Sequence, residues 1–498
     1  MLTIASLIVI VMILTIAFIY HIFSQQRKRE SRDKQYFYTG MVGVLLVLSG
    51  CSNSLSGSSR PAQVTPLALT PSPTTTKSVS QSSIDWTTYH RDNTRAGYIA
   101  NMPDPQRLTQ AWNAHLDGAV YGEPLVVGGH VLVATENDTV YSLDTHTGQV
   151  LWHTHVGTPV ALSSLPCGNI DPLGITGTPV YDSTTNLVFA IAEISGPTHI
   201  LVGIDAATGQ VKVRRIADPV GMDVTPQQER AALALFGNMV YIAYGGLDGD
   251  CGDYHGWVVG SQTDGNGPLL SYQVPTTREG GIWAASGPAI DATGQVYVAV
   301  GNGAATQGNW DHSDSILRLS PTLHIEDGFA AQGWQQENSE DADLGSMGPL
   351  LLPKDLVFAD GKSGLGYILH ANALGGVGGQ AQALTICHSY GGAATDNSQI
   401  FVPCTSGLRQ LSLDATSRIT LGWQAPSQVT GSPVIGGHTV YSLSNSDGKL
   451  YALDSVTGKV RTTIAVPQVS RFATPTLSGS NILIGTLTGV TAVTAVTQ

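Results

Sequence analysis

The amino-acid sequence predicts an all-β protein: an eight-bladed β-propeller of four-stranded blades, with its ring closed by an N-terminal strand. Two observations carry this prediction. One hairpin motif recurs almost unchanged three times, and a Gly- or Pro-marked strand start recurs in eight recognisable, partly degenerate copies. The chain contains 57 glycines and 25 prolines, and such frequent turn residues are typical of an all-β meander.

The recurring hairpin consists of a β-prone run ending in Asp, a short turn closing on Thr-Gly, and a second β-prone run. Its copies span residues 140–152, 201–211 and 450–460. The Asp side chain can accept hydrogen bonds from N–H groups of the turn, and the Gly supplies the left-handed conformation that other residues resist. A hairpin that recurs in this way indicates a repeat architecture.

The marked strand starts divide the chain into eight units of roughly fifty residues, enough for four strands and their loops. They stand at residues 122–124, 177–179, 231–233, 286–288, 347–349, 392–394, 431–433 and 473–475. The last unit holds only about three strands, and residues 108–116 form an orphan strand before the first unit. We expect this strand to pair with the last unit and close the ring. Residues 227–235 are the one stretch with helical spacing of apolar residues.

The segment before residue 84 is expected to direct export of the propeller. Residues 1–50 combine an aliphatic run at 2–19, about one bilayer span in length, with a lipoprotein-type signal. The sequence Leu48-Ser-Gly-Cys51 matches the bacterial lipobox, in which the cysteine is lipidated. Residues 51–83 are rich in Ser, Thr and Pro and form a tether that cannot build a core. The propeller occupies residues 84–498.

Two interpretations of residues 1–23 stay open: a true transmembrane helix, or a start codon placed too early. Both put the propeller outside the cytoplasm, anchored to the cell membrane by an N-terminal lipid or helix. The formal net charge of the chain is −13. So acidic a protein repels phosphate backbones, which argues against nucleic acid as a partner.

The remaining cysteines are Cys167, Cys251, Cys387 and Cys404. An even number in an oxidising compartment predicts two disulfides, and three connectivities are open. Proximity in the repeat order favours Cys387–Cys404 and Cys167–Cys251. Buried free thiols are the alternative.

The hairpin motif resembles the repeat of pyrroloquinoline-quinone (PQQ) propellers. That superfamily includes quinoprotein alcohol dehydrogenases and also the non-enzymatic lipoprotein of the outer-membrane assembly machine. The resemblance extends from about Trp86 to the C-terminus and implies the fold. It does not imply an activity, because enzymes and scaffolds share this repeat. In this repeat a Trp at the end of the hairpin packs between blades, which implies a structural role for Trp152.

The resemblance also implies a candidate site. In the dehydrogenases PQQ lies over a Trp and binds Ca²⁺, which prefers oxygen ligands, and an Asp accepts the proton of the substrate hydroxyl. By position in the repeats, Trp283 would stack under the quinone, and Glu193 and Asn302 would bind the metal. Asp341 or Asp343 would be the base. The sequence departs from the family because it has no vicinal Cys pair and no Cys-x-x-Cys-His haem motif.

Each of these residues also has an ordinary structural interpretation. Trp283 suits blade packing, Asn302 suits a turn, Glu193 suits a strand end, and the two aspartates suit hydrogen bonding within a loop. We therefore favour a scaffold that binds a small ligand or a protein partner on its funnel face, the face formed by the long polar loops. The alternative is a PQQ- and Ca²⁺-dependent alcohol dehydrogenase.

Overall fold

The computed structural model describes residues 85–497, which form eight sheets in the order of the chain. The predicted all-β, eight-bladed propeller of four-stranded blades is confirmed. Inner strands of most neighbouring blades contact one another, including those of the last and the first blade. The predicted signal, most of the tether and the lipidated Cys51 lie outside the described residues.

Two strands precede the first blade, β1 (Tyr98–Ile99) and β2 (Arg107–His115). Blade 1 contains β3 (Leu125–Val127), β4 (His130–Thr135), β5 (Thr139–Asp144) and β6 (Val150–His155). Blade 2 contains β7 (Val180–Asp182), β8 (Leu187–Ile194), β9 (Thr198–Asp205) and β10 (Val211–Ile216). Blade 3 contains β11 (Gln227–Gln228), β12 (Ala234–Phe236), β13 (Met239–Gly246), β14 (Trp257–Gln262) and β15 (Leu270–Gln273). Blade 4 contains β16 (Ala289–Ile290), β17 (Val296–Val300), β18 (Ser315–Leu319) and β19 (Ile325–Ala330).

Blade 5 contains β20 (Leu350–Leu352), β21 (Leu356–Ala359), β22 (Leu365–His370) and β24 (Gln382–Thr385), while β23 (Gly376–Val377) joins the edge of blade 4. Blade 6 contains β25 (Ala394–Thr395), β26 (Gln399–Val402), β27 (Arg409–Leu413) and β28 (Ile419–Gln424). Blade 7 contains β29 (Val434–Gly436), β30 (Thr439–Ser444), β31 (Lys449–Asp454) and β32 (Val460–Ala465). Blade 8 contains β33 (Thr476–Ser478), β34 (Asn481–Thr486) and β35 (Gly489–Val496).

The predicted ring closure is confirmed. Strand β2 pairs antiparallel with β35 and supplies the fourth strand of blade 8. Each of the eight predicted strand starts leads directly into the inner strand of a blade. A strand from the N-terminal part of the propeller thereby completes the sheet formed by the last strands of the chain.

The helical expectation for residues 227–235 is wrong. This stretch forms β11 and β12, which both pair with β13. Its apolar residues at 231, 233 and 235 also fit the alternation of a strand, so the stretch is compatible with both the helical and the strand period. Pairing with β13 selects the strand. Helices are short: α1 (Trp334–Glu340) and single 3₁₀ turns at Leu162–Ser164 and Leu344–Ser346. Within residues 85–497, no helix has the length and apolar character needed to cross a membrane.

The recurring hairpin has the predicted geometry in all three copies. Oδ1 of Asp144 accepts hydrogen bonds from the N–H of Thr147 at 2.8 Å and from its hydroxyl at 2.9 Å, and Gly148 has φ +70°. Asp205 and Asp454 make equivalent bonds. The hydrogen bond from the Thr147 hydroxyl is the main reason that the pKa of Asp144 is lowered.

A tryptophan from the outer strand of one blade packs on the hairpin of the next. Trp152 donates from Nε1 to the carbonyl of Ala206 at 3.0 Å, and a Cβ at Gly209 would lie 2.8 Å from its indole. Trp112 and Trp423 dock in the same way on the hairpins of blades 1 and 7. The glycine thus serves both the turn and the close approach of the indole ring.

Residues 86–99, here called the N-terminal segment, run around one end of the central channel. The segment hydrogen-bonds to the inner strand of each blade or to residues beside that strand. These bonds reach blades 1 to 8 at Val126, Tyr181, Leu233, Ile290, Leu351, Thr395, Ile435 and Thr474. The segment therefore fixes the inner strands relative to one another, a role that the sequence did not reveal.

Arg95 is the centre of this arrangement. Its side chain is 1% exposed, and its guanidinium donates to the carbonyls of Pro288, Leu233 and Tyr89 and to the hydroxyl of Thr88. Burial lowers the pKa of Arg95 to about 10, so the side chain still carries its charge at neutral pH. A buried cation is tolerated when its donors are satisfied in this way.

Both predicted disulfides are present. Cys167, in the loop between blades 1 and 2, is bonded to Cys251, in the loop between β13 and β14 of blade 3, and Cys387 is bonded to Cys404 between blades 5 and 6. The pairing is the one that the repeat order favours. Closing the 84-residue separation between Cys167 and Cys251 restricts the unfolded chain more than the shorter bridge does.

We expect Arg95→Met to destabilise the propeller by about 3–5 kcal/mol, because the buried acceptors lose a charged donor. Chemical unfolding followed by circular dichroism measures the change. Arg107→Met is the matched control, since Arg107 is exposed at the start of β2. An Arg95→Met protein as stable as this control would contradict the role given to the N-terminal segment.

Candidate functional site

The loops that lead into the inner strands surround a cavity at the centre of the funnel face. It has two adjoining parts, of about 560 Å³ and about 260 Å³. Arg230, Trp283, Arg471 and Phe472 line both parts. These residues precede the inner strands of blades 3, 4 and 8, so the cavity is built across the ring and not within one blade.

The N-terminal segment closes the far end of the cavity. Tyr89 lines the smaller part, and its hydroxyl hydrogen-bonds to that of Thr474 at 3.1 Å. The Tyr89 ring stacks on His90 with centroids 4.2 Å apart. Because the segment bonds to the inner strand of each blade or to residues beside that strand, it forms a floor under the smaller part of the cavity.

Trp283 lies at the wall of the cavity with little exposed surface. Its indole packs against Gly245, Gly281 and Gly301, where an added Cβ would collide with the ring. The side chain is 8% exposed, and the tyrosine ring of Tyr254 lies 6.0 Å from it. The glycines let three backbone segments approach one large aromatic side chain.

A guanidinium group lies over Trp283. Cζ of Arg230 is 5.7 Å from the indole centroid and 5.8 Å from the ring of Phe472. Nε of Arg230 donates to the carbonyl of Trp283 at 3.1 Å, which fixes the arginine beside this ring. A cation that contacts two aromatic faces is stabilised by both. The centre of the funnel is therefore spanned by the side chain of Arg230.

The two candidate bases share one lysine. Nζ of Lys362 lies 2.7 Å from Oδ1 of Asp343 and also contacts Oδ1 of Asp341. Asp343 is 0% exposed; burial raises its pKa, while the Lys362 ammonium acts in the opposite direction. Asp341 lines the larger part of the cavity and is mostly exposed. One ammonium group thus pairs with both aspartates at the cavity rim.

The candidate metal ligands lie outside the cavity. Glu193, in β8, is buried, and its Oε1 accepts a hydrogen bond from the N–H of Glu229 at 2.7 Å. Asn302 follows Gly301, and its Oδ1 is buried with no hydrogen-bond partner within the described residues. Neither side chain lines either part of the cavity.

Glu193 is also paired with a buried histidine. Nε2 of His199 lies 3.6 Å from Oε1 of Glu193, and Nδ1 of His199 lies 2.6 Å from Oδ1 of Asp218. Burial alone would lower the pKa of His199, but the Glu193 carboxylate and the hydrogen bond that His199 donates to Asp218 raise it to about 10. Protonated His199 therefore pairs with both Glu193 and Asp218 at physiological pH.

Further buried carboxyl groups lie near Glu193. Burial raises the pKa of Glu136 to about 8, and burial together with the charge of Glu136 raises the pKa of Asp138 to about 8. Burial also raises the pKa of Glu229 well above its ordinary value. Oε2 of Glu136 accepts from the N–H of Gly174 at 2.8 Å. These groups are held largely protonated below neutral pH.

The calcium and quinone arrangement implied by the resemblance requires Glu193 and Asn302 to face one ion beside an accessible Trp283. Glu193 is instead engaged by His199, and Arg230 lies over Trp283. In the part of the chain that the structure describes, no group of three or more His, Cys, Asp or Glu residues is placed to hold a metal ion. The residues as arranged do not fit that cofactor.

A family model described as outer membrane protein assembly factor BamB matches residues 108–245. The structure resembles the quinohemoprotein alcohol dehydrogenase from Comamonas testosteroni, with a TM-score of 0.64 at 15% identity over 82% of this chain and 80% of that chain. The chain has the fold of the PQQ-like β-propellers.

Two further structures extend the comparison. A europium-containing methanol dehydrogenase has a TM-score of 0.64 at 15% identity over 83% of this chain and 98% of that chain. BamB from Moraxella catarrhalis has a TM-score of 0.54 at 15% identity over 78% of this chain and 99% of that chain. No curated protein sequence matches the chain. Sequence identities this low support a shared fold only, so the function has to be argued from the site.

Sequence reasoning placed Trp283 and Asp341 at the cavity and missed Arg230, Lys362, Arg471 and Phe472. A signal was present, because Arg230, Arg471 and Phe472 stand immediately before marked strand starts. In a propeller the residue before each inner strand is close to the channel mouth. Large or charged side chains at those positions are the ones to examine first.

We expect the free energy of unfolding to fall as pH rises from about 4 to 10. Glu136, Asp138 and His199 all have folded-state pKa values above their ordinary values, so protonation favours the folded state. Each contributes its stabilisation below its unfolded pKa and loses it as pH rises through the folded pKa, at about 1.4 kcal/mol per pH unit for each proton.

Denaturant unfolding at a series of pH values measures this dependence. Asp138→Asn should flatten the profile between about pH 4 and 8, and His199→Gln should flatten it between about pH 6.5 and 10. Asp264→Asn, at an exposed turn, should leave the slope in both ranges unchanged. Stability that rises with pH across these ranges would contradict the assignment.

Proposed function

We propose that the protein is an exported, membrane-anchored scaffold that holds a ligand or a partner protein on its funnel face without catalysing a reaction. The observation that carries this proposal is the position of Arg230 over Trp283 and Phe472. A planar cofactor would need the face of Trp283 that the guanidinium covers. The same guanidinium directs hydrogen-bond donors into the cavity, as a binding site requires.

The protonation chemistry of the site also favours binding over catalysis. A general base must reach the proton that it removes. Asp343 is fully buried against Lys362, and Asp341 is held by the same ammonium group. Neither carboxylate is presented unpaired to a molecule in the cavity.

The family match supports a scaffold, because the matched model is described as an outer membrane protein assembly factor. Anchoring at the membrane through lipidated Cys51, or through residues 1–23, would hold such a scaffold at the cell surface. The two disulfides suit that oxidising location.

The alternative is a PQQ- and Ca²⁺-dependent alcohol dehydrogenase. One observation favours it: the buried Oδ1 of Asn302 has no partner within the described residues and follows the glycine that packs on Trp283. In this alternative Glu193 and Asn302 bind Ca²⁺. Arg230 would have to leave the face of Trp283, and Glu193 would have to leave His199.

We expect no alcohol-dependent reduction of an artificial dye by the protein after incubation with Ca²⁺ and PQQ, because Trp283 is covered and both candidate bases, Asp341 and Asp343, are paired with Lys362. A panel of primary and secondary alcohols, followed by dye absorbance, tests this. Dye reduction that Asn302→Ala or Glu193→Ala abolishes would establish the dehydrogenase. Glu326→Ala, on outer strand β19, is the control that should behave as the wild type.

We expect Cys51→Ser to prevent lipid attachment and to release most of the protein from the membrane fraction. Cells grown with radioactive palmitate report the attachment, and fractionation reports the anchoring. Ser54→Ala should retain both label and location. Equal labelling of Cys51→Ser and wild type would rule out this cysteine as the anchor. Retention of the unlabelled variant in the membrane would assign anchoring to residues 1–23.

A further inference from the structure

We propose that the funnel contains a site for one anionic group, a carboxylate or a phosphate, held between Arg230 and Arg471. This inference rests on the proposed binding function and names the chemistry of its ligand. It follows from the unpaired donors of the two guanidinium groups, from the Phe472 ring that both of them contact, and from the apolar wall of the smaller part of the cavity.

Most of the donors of these two arginines face the cavity without a protein acceptor. Nε of Arg230 bonds to the carbonyl of Trp283, while its two Nη atoms have no hydrogen-bond partner within residues 85–497. Arg471 has one contact, from Nη2 to Oδ1 of Asp248 at 3.9 Å, which is longer than a hydrogen bond. Both side chains line both parts of the cavity.

Phe472 holds the two guanidinium groups close together. Cζ of Arg471 lies 4.6 Å from the Phe472 ring centroid, and Cζ of Arg230 lies 5.8 Å from it. Two like charges so near one ring repel each other, and after burial the charge of Arg471 is the next cause of the lowered pKa of Arg230. An anion between them removes this repulsion and accepts the unpaired donors.

The carboxylates of the cavity lie in its larger part, at Asp248, Asp250, Glu340 and Asp341. The smaller part has one carboxyl group, Glu123, and burial raises the pKa of Glu123 well above its ordinary value, so an anion can meet the two arginines from the smaller part. Lys362 is occupied by Asp341 and Asp343, and Oδ1 of Asp250 accepts the hydroxyl of Tyr254 at 2.7 Å. The chain as a whole has a formal net charge of −13. Two adjacent arginines with unpaired donors in so acidic a protein are therefore a selective feature of the funnel and not part of a general basic surface.

The shape of the cavity indicates what the anionic group is attached to. The smaller part, of about 260 Å³, is lined by apolar and aromatic side chains as well as by the arginines: Tyr89, Tyr121, Ile170, Val469, Phe472 and Leu487. An aromatic or aliphatic body would pack here while its anionic end meets the planar guanidinium groups, which match an oxyanion with two parallel hydrogen bonds. The ligand class is thus a small amphiphilic anion.

Isothermal titration calorimetry with the full chain tests the site, using 4-phenylbutyrate, its neutral amide and inorganic phosphate as probes. We expect 4-phenylbutyrate to bind at one equivalent and the amide to show no saturable heat. The affinity should fall as NaCl is raised, because the interaction is between charges. Phosphate that competes with 4-phenylbutyrate would show that the site takes either oxyanion; phosphate without effect would assign it to carboxylates.

Arg230→Gln and Arg471→Gln should each weaken 4-phenylbutyrate binding about tenfold or more, and Arg107→Gln should leave it unchanged. Arg471 is more than half exposed, so its substitution tests the site even if Arg230→Gln does not fold. Arg230→Lys, which keeps the charge and loses the planar fork, should bind at an intermediate level.

Equal binding by wild type, Arg230→Gln and Arg471→Gln would overturn the proposal. So would no heat with either anion up to roughly 10 mM, a concentration at which even weak binding is visible.

These results are separable from a failure of the proposed function. Anion binding that depends on Arg230 and Arg471, together with alcohol-dependent dye reduction, would keep the site and reject the scaffold. An absence of both would reject the anion site and leave the scaffold to bind by another surface.

Discussion

The fold depends on the burial of one cation, the guanidinium of Arg95, at the closed end of the channel. The eight sheets of the propeller are separate from one another, and the N-terminal segment is hydrogen-bonded to all eight blades. Arg95 holds the N-terminal segment against blades 3 and 4, and the rest of that segment bonds to the others. The funnel above it is therefore built on a fixed floor, and side chains from distant blades can meet with defined geometry.

Much of the fold could be predicted because its determinants are local. The Asp and Thr-Gly of each hairpin satisfy their own turn, and the marked strand starts repeat once per blade, so both are visible within a few residues. The closing strand β2 followed from counting strands, and the disulfide pairs followed from blade order. The N-terminal segment was missed because it has no periodicity: its bonds go to eight separate strands. Residues 227–235 were assigned wrongly because helical and strand periods overlap in so short a stretch.

The candidate site could be predicted only in part. Resemblance identified Trp283 and Asp341, which line the cavity, whereas Glu193 and Asn302 lie outside it. The side chains that give the cavity its character were missed, since Arg230 and Phe472 precede blades 3 and 8 and meet only across the closed ring. Whether a Trp is an open platform or is covered by an arginine depends on a neighbour far away in the chain, which motif comparison does not show.

The central claim is that the guanidinium of Arg230, and not a quinone, occupies the face of Trp283. A crystal structure of the protein soaked with Ca²⁺ and PQQ tests it most directly. The account predicts Arg230 between Trp283 and Phe472, Glu193 still paired with His199, and any bound quinone held through its carboxylates by Arg230 and Arg471. A quinone stacked on Trp283, with Ca²⁺ bound by Glu193 and Asn302 and with Arg230 turned away, would contradict the account and identify a dehydrogenase.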